Sequence, residues 1–372
     1  EIRLSLVGSE MCIRDRFFML GLAGLAFAAC SNEDEVGNDL SQNSKTITVK
    51  IETGGYTTRA SGDEAWTDGT NNNQSPITVN TVTLYLLDKD GAIVDTKILE
   101  NKSSDTFHGV SGTVTKIAAV ANCQPTASGT WANVVAETFD VADYQTAENA
   151  PVYAEAVDIT YKNTDTQEGY PMYEATLQLA TKMSRIELSG NLQCTNLAES
   201  AYKTLTLEYV GINGANTKFT LKGIGSEPHP VTSNLTGFPD LTPDTGTPTA
   251  FYDAAATPAP VLNDKNTPVA LGTSYGYSVC GMPELLLRFN SEPVDDVKEG
   301  YIIYDPAYLK ITGFKTADGN VVAMESGKIY QITDLEFTEE DITTLEKDKI
   351  CITATVRVAP WDIVAVEPSY GE

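Results

Sequence analysis

Residues 46–52 read Thr-Ile-Thr-Val-Lys-Ile-Glu, with Ile47, Val49 and Ile51 at every second position and Thr48 and Lys50 between them. Successive side chains of a strand point to opposite faces, so this spacing gives one apolar and one polar face. It predicts a half-buried strand. The pattern returns near the other end, where residues 350–358 (ICITATVRV) place Ile350, Ile352, Ala354, Val356 and Val358 on one face, before Pro360 interrupts. Between these, runs 81–87 and 92–99 flank Asp88-Lys89-Asp90-Gly91, and runs 308–314 and 321–324 flank Asp318-Gly319, two hairpin signals. Residues 110–121, 173–179, 183–188, 204–210, 218–221 and 328–337 are further strand-like runs, whereas 131–170 admits short helices. The expected fold class is all-β with few short helices.

A chain of 372 residues exceeds one typical domain, and 41% apolar with 20% charged residues suits two compact β-rich units. The turn at Gly169-Tyr170-Pro171 places the expected boundary there, giving domains 46–170 and 171–372. Residues 225–260, dense in Pro, Thr, Gly and Asp, read as a long surface excursion. A formal net charge of −26 repels phosphate backbones, which need clustered Lys and Arg, so no nucleic-acid partner is expected. Cys123, Cys194, Cys280 and Cys351 are scattered without a C-x-x-C or a companion His, and read as free buried thiols.

Catalytic patterns fail on their own chemistry. Gly272-Thr273-Ser274-Tyr275-Gly276 matches a nucleophile elbow, but the two histidines, His108 and His229, both precede Ser274, against hydrolase order. Those histidines are too far apart in sequence to suggest zinc, and the turn 88–91 lacks the ligand series of a calcium loop. No glycine-rich phosphate loop precedes a helix. No enzyme, metal or cofactor is expected.

The N-terminal region carries processing signals. Residues 5–16 (SLVGSEMCIRDR) resemble translated sequencing-adaptor read-through, and 1–16 is set aside as non-native. The apolar run 17–29 (FFMLGLAGLAFAA) is shorter than the roughly 20 residues a membrane helix needs and fits a signal-peptide core. It ends in small residues before Cys30, as a lipobox does; a plain secretory signal with an incidental Cys is the alternative. Acidic residues follow in Ser31-Asn32-Glu33-Asp34-Glu35, and 30–45 reads as a polar tether.

One combination carries function: the alternating strand at 46–52, a polar loop at 54–76 containing Arg59, and the short apolar strand 361–367 opened by Trp361. A cut between Arg59 and Ala60 would free the segment 46–59, and loss of Ile47, Val49 and Ile51 would expose an apolar groove flanked by strand edges. A strand from another copy could fill it by β-augmentation. Repeated head to tail, such a contact does not close and makes a filament. Arg59 as an ordinary loop arginine and Trp361 as a cap on its own core are the plainer readings.

With the lipobox at Cys30, the site Thr57-Thr58-Arg59-Ala60, the runs VTLYLLDKDGAIV and KMSRIEL and the ending GKIYQITDLEF…ITATVRVAPWDIV, the chain resembles the Bacteroidales fimbrillin family, subunits of type V pili. That resemblance implies two tandem transthyretin-like β-sandwich domains and a fimbrial stalk subunit. It implies lipidation at Cys30 with attachment to the outer membrane, maturation by an arginine-specific protease at Arg59, and donation of a strand bearing Trp361, Ile363, Val364 and Val366. The implied partners are other copies of the chain, related pilins, and host or bacterial surface receptors. A tip or anchor subunit and a monomeric glycan-binding surface lipoprotein are the alternatives; for the latter, Trp66, Trp131 and Trp361 are spread too widely to suggest an aromatic platform.

Overall fold

Alternation of branched and polar residues produces strands throughout the computed structural model, which describes residues 44–53, 76–144, 149–164, 169–213, 216–223, 225–228, 260–263, 266–271, 275–279, 284–344, 352–360 and 363–365. The first group is β1 (Ser44–Thr53), β2 (Ile77–Val79), β3 (Thr81–Leu87), β4 (Ile93–Glu100), β5 (Ser104–Ser111) and β6 (Lys116–Ala121). After a short helix, α1 (Trp131–Ala136), come β7 (Thr138–Asp140), β8 (Val152–Asp158), β9 (Thr160–Thr164) and β10 (Pro171–Leu179). The second group begins with β11 (Ser184–Cys194), β12 (Tyr202–Asn213), β13 (Asn216–Thr220), β14 (Gly225–Pro228), β15 (Val261–Asn263) and β16 (Val269–Ala270). It continues with β17 (Tyr275–Val279), β18 (Glu284–Pro293), β19 (Ala307–Lys315), β20 (Val321–Val322) and β21 (Lys328–Phe337). The last strands are β22 (Ile342–Thr343), β23 (Ile352–Thr355), β24 (Arg357–Pro360) and β25 (Ile363–Ala365). The fold is all-β, as the alternation predicts.

Two four-stranded sheets, β5-β1-β10-β9 and β4-β3-β6-β8, form the first group. Their buried residues Ile47, Val49, Leu84, Leu86, Ile117, Ala119, Ala175 and Leu177 belong to one hydrophobic cluster. In the second group, β16-β11-β21-β24, with β17 also on β11, and β15-β12-β18-β19-β20, with β22 and β23 on β19, pool Leu188, Ile332, Leu207, Leu287 and Ile311. A smaller, three-stranded sheet, β14-β13-β7, joins the groups, because Phe139 of β7 stands opposite Phe219 of β13 with ring centroids 5.8 Å apart.

The expected boundary at 170/171 falls before β10, yet β10 is hydrogen-bonded to β1 and β9. A division by sheet would therefore come between Leu179 and Ser184. Both hairpins form where expected: the Asp88 carboxylate accepts the amides of Asp90 at 2.9 Å and Ala92 at 2.8 Å. That occupies one of its oxygens with a turn, as an Asp in such a loop commonly does. Other expectations need correction. The run 350–358 is two strands rather than one, because the chain leaves β19 at Val356, whose amide donates to the Lys315 carbonyl at 2.8 Å, and then pairs with β21. Pro360 does not break the pattern but closes β24 opposite Lys328. Ser44 and Lys45, assigned to the tether, already belong to β1.

Between β11 and β21 the parallel register shifts from Leu188 to Asn191. Gly190 makes this possible: its φ is +77°, and a Cβ there would lie 1.7 Å from the Thr333 carbonyl oxygen. Backbone cannot yield as a flexible side chain can. Gly190→Ala is expected to destabilise the protein by about 3 kcal/mol or more in urea unfolding, whereas Gly91→Ala, with open space around its Cβ, should cost about 1 kcal/mol.

Candidate functional site

β1 lies inside its sheet. It runs parallel to β10, with Ile47 opposite Tyr173, Val49 opposite Ala175 and Ile51 opposite Leu177, and antiparallel to β5, with Ile47 opposite Phe107. Both of its backbone edges are therefore engaged. On the inner face Ile47 and Val49 are 0% exposed and Ile51 6%. At about 1.5–3 kcal/mol per fully buried aliphatic side chain, these three contribute roughly 5–9 kcal/mol as an upper figure. That is comparable to the entire net stability of a typical domain, about 5–15 kcal/mol.

The outer face of β1 is a polar ladder. Thr46 Oγ1 lies 3.2 Å from His108 Nδ1, and Thr48 Oγ1 lies 2.9 Å from Thr106 Oγ1. Lys50 donates to Glu174 at 2.7 Å, Lys162 approaches the second Glu174 oxygen at 3.3 Å, and Gln178 donates to Glu52. The two lysines hold the Glu174 carboxyl below its usual range. His108 is thus an exposed member of β5 tied to β1.

Lys45 breaks the rule of apolar-in, polar-out. Its side chain shares the inner face with Ile47 and Val49, is 8% exposed, donates to the Val114 carbonyl at 2.7 Å, and sits 4.7 Å from the Tyr173 ring centroid. Burial lowers its pKa. The alternation of 46–52 does not extend to Lys45, whose charge marks it by residue type as an exposed position.

Arg59 and Ala60 lie outside the described residues, in the connection between Thr53 of β1 and Pro76 ahead of β2. Cys30, Trp361, Val366, Ser274, His229 and Trp66 also lie outside them. Of the expected donor residues, Ile363 and Val364 belong to β25, which pairs in parallel with β2: Ile77 opposite Ile363, Thr78 opposite Val364, Val79 opposite Ala365. β24 thus pairs in the second group's sheet, whereas β25, the next strand in the chain, pairs with β2. The receiving strand went unrecognised because Ile77-Thr78-Val79 is too short a run to read as a strand.

Trp131 packs at 5.4 Å against Tyr85 and is 7% exposed, so its ring offers no platform. Cys123 and Cys194 are free and buried, and burial pushes their thiols up to about 12 and about 11. Among the described residues, no three His, Cys, Asp or Glu side chains gather closely enough to hold a metal.

No family model and no curated protein matches the chain. Solved structures do. A candidate cell adhesion protein from Bacteroides eggerthii aligns over 89% of this chain and 100% of its own, at 15% identity and a TM-score of 0.55. At that identity the likeness is one of fold. A candidate cell adhesion protein from Parabacteroides distasonis (12% identity, 86% of this chain, 99% of its own, TM-score 0.49) and a fimbrial assembly protein from the same organism (14%, 84%, 98%, 0.42) are more distant.

Removing inner-face atoms of β1 should be costly and removing outer-face atoms cheap. Ile47→Ala is expected to lower unfolding free energy by about 2–5 kcal/mol in urea titrations, and Lys50→Ala, which loses an exposed ion pair, by no more than about 1 kcal/mol.

Proposed function

We propose that this chain is a structural fimbrial subunit, not an enzyme, that polymerises by exchanging its first strand for the C-terminal strand of another copy. The observation that carries this reading is the placement of β1: a strand with both edges paired and its apolar face buried, joined to the rest of the chain through the connection that holds Arg59. Cutting after Arg59 by an arginine-specific protease leaves β1 held by noncovalent contacts alone. Its departure opens a slot lined by the unpaired edges of β5 and β10, which an extended strand fills by β-augmentation.

The donor is the segment 361–367. β25 is tied to β2 by a register of three residues, against eight for β1 on β10. Such a short pairing yields at small cost, leaving the segment available to a neighbour. Each subunit then gives a strand and receives one, and the heterologous contact propagates. The fold likeness to a candidate cell adhesion protein supports a role at the cell surface, in fimbriae that adhere to host or bacterial receptors. Before the cut, lipid on Cys30 would hold the precursor at the outer membrane.

The test is to treat the purified chain with an arginine-specific protease, identify the new N-terminus by mass spectrometry, and follow size by light scattering. Cleavage between Arg59 and Ala60 followed by filament growth, abolished by Arg59→Ala and by deletion of 361–372, is the expected result. A clean cut without assembly would point to a tip or anchor subunit. A chain that is not cut at Arg59 and stays monomeric would overturn the mechanism and leave a glycan-binding surface lipoprotein as the better account.

A further inference from the structure

We propose that Arg357 is a second cutting site for an arginine-specific protease, and that its cleavage removes the donor segment and turns a subunit into a filament terminator. The inference rests on the strand-exchange reading and adds to it what stops growth.

Beyond Ala60 the sequence holds three arginines, Arg185, Arg288 and Arg357. A protease takes its substrate as an extended segment with the arginine side chain in a pocket, so a cut needs an accessible side chain and a backbone able to leave its ladder. Arg185 meets neither condition. It lies in β11 with Ser278 of β17 on one edge and Ile329 of β21 on the other, is 6% exposed, and donates from Nε to Glu187 at 2.9 Å. Arg288 lies in β18 between Tyr209 of β12 and Tyr308 of β19, and forms an ion pair with Glu208. Freeing either strand would break a sheet on both of the strand's edges.

Arg357 differs on both counts. Its side chain is exposed, and β24 stands at the end of its sheet. The register of β24 on β21 is four residues, from Arg357 opposite Gln331 to Pro360 opposite Lys328, against eight for β11 on β21. Val356 must loosen as well: it is 3% exposed and its amide donates to the Lys315 carbonyl at 2.8 Å. The cut is therefore slow, waiting on a local opening of the chain end, but it does not require the body to unfold.

Hydrolysis adds water across the Arg357–Val358 bond, leaving a carboxylate on Arg357 and an ammonium on Val358. The 15-residue product 358–372 (VAPWDIVAVEPSYGE) contains the whole donor segment. Its ladder with the body, among the described residues, is three residues on β21 and three on β2. Once it departs, a subunit cut at both arginines keeps the β1 slot and accepts a strand, but has none to give. A head-to-tail filament ends at such a subunit. Growth and termination then draw on one protease, the first through Arg59 and the second through Arg357.

The test treats the full native chain with an arginine-specific endopeptidase, follows the products over time by mass spectrometry, and measures filament length by electron microscopy. The chains compared are the wild type, Arg357→Lys and, as a control, Arg288→Lys. Lysine keeps the charge but is not cut, and equal urea midpoints check that neither substitution disturbs the fold. Fragment 358–372 should accumulate after the cut at Arg59 in the wild type and in Arg288→Lys. It should be lost in Arg357→Lys, whose filaments should be longer. A wild-type chain that is cut at Arg59 and grows filaments but releases no 358–372 would overturn the second site while leaving strand exchange intact. So would cutting of the native chain at Arg185 or Arg288 ahead of Arg357. Release of 358–372 with filaments of equal length in the wild type and Arg357→Lys would overturn the terminator role. Absence of filaments from every chain after the cut at Arg59 would overturn strand exchange and the terminator with it.

Discussion

The structure depends on one strand lying between two others. β1 satisfies the edges of both β5 and β10 and closes the inner face of their sheet with Ile47, Val49 and Ile51. A central strand is an unusual element to leave at the start of a fold, since its absence creates two unpaired edges rather than shifting one. The parallel pairing with β10 adds a further constraint. Parallel neighbours cannot be joined by a tight turn, so β1 and β10 come together only after the rest of the first group has been laid down between them in sequence. The strand that seals the core is thus paired on one side with a partner more than a hundred residues away.

Much of this was legible from residue types. The alternation of 46–52, the two Asp-Gly hairpins and the continuous run 328–337 follow from local rules, and these elements form as those rules require. Most of what was not legible follows from the fact that a strand's neighbours are set by tertiary packing. The residues 350–358 keep perfect alternation while changing sheets at Val356, because side-chain parity is blind to which backbone accepts the hydrogen bonds. For the same reason the turn at 169–171 suggested a boundary, although β10 follows it back into the first group. Lys45 was hidden for the opposite reason: charge is normally a sign of exposure, and only the Val114 carbonyl and the Tyr173 ring make an inward lysine tolerable.

The C-terminal strands show how a chain can be divided between tight and loose attachment. β24 is fixed by four residues opposite β21, inside a sheet whose other members share the main core. β25, three residues beyond it, belongs to a two-stranded sheet with β2 alone among the described residues. That register is short, although Ile77 and Val79 of β2 are themselves buried in the core. On the proposed exchange, such a segment would be anchored at its root through β24 and released at its end by giving up the three-residue register with β2.

The cut itself changes no contact in the β1 ladder. What it changes is effective concentration. While β1 is covalently joined to β2 through residues 54–76, a vacated slot sees its own strand at a local concentration on the order of millimolar, as short tethers give. Once the tether is cut, the departed strand is diluted to whatever the surroundings hold. If that is about nanomolar, the loss is a factor of about a million, or roughly 8 kcal/mol. This is close to the burial contributed by Ile47, Val49 and Ile51. In the proposed exchange, cutting the tether would remove an advantage of the same order as that burial, and a donor strand attached to a neighbouring body, with its own locally raised concentration, would compete for the slot without forming a single better contact.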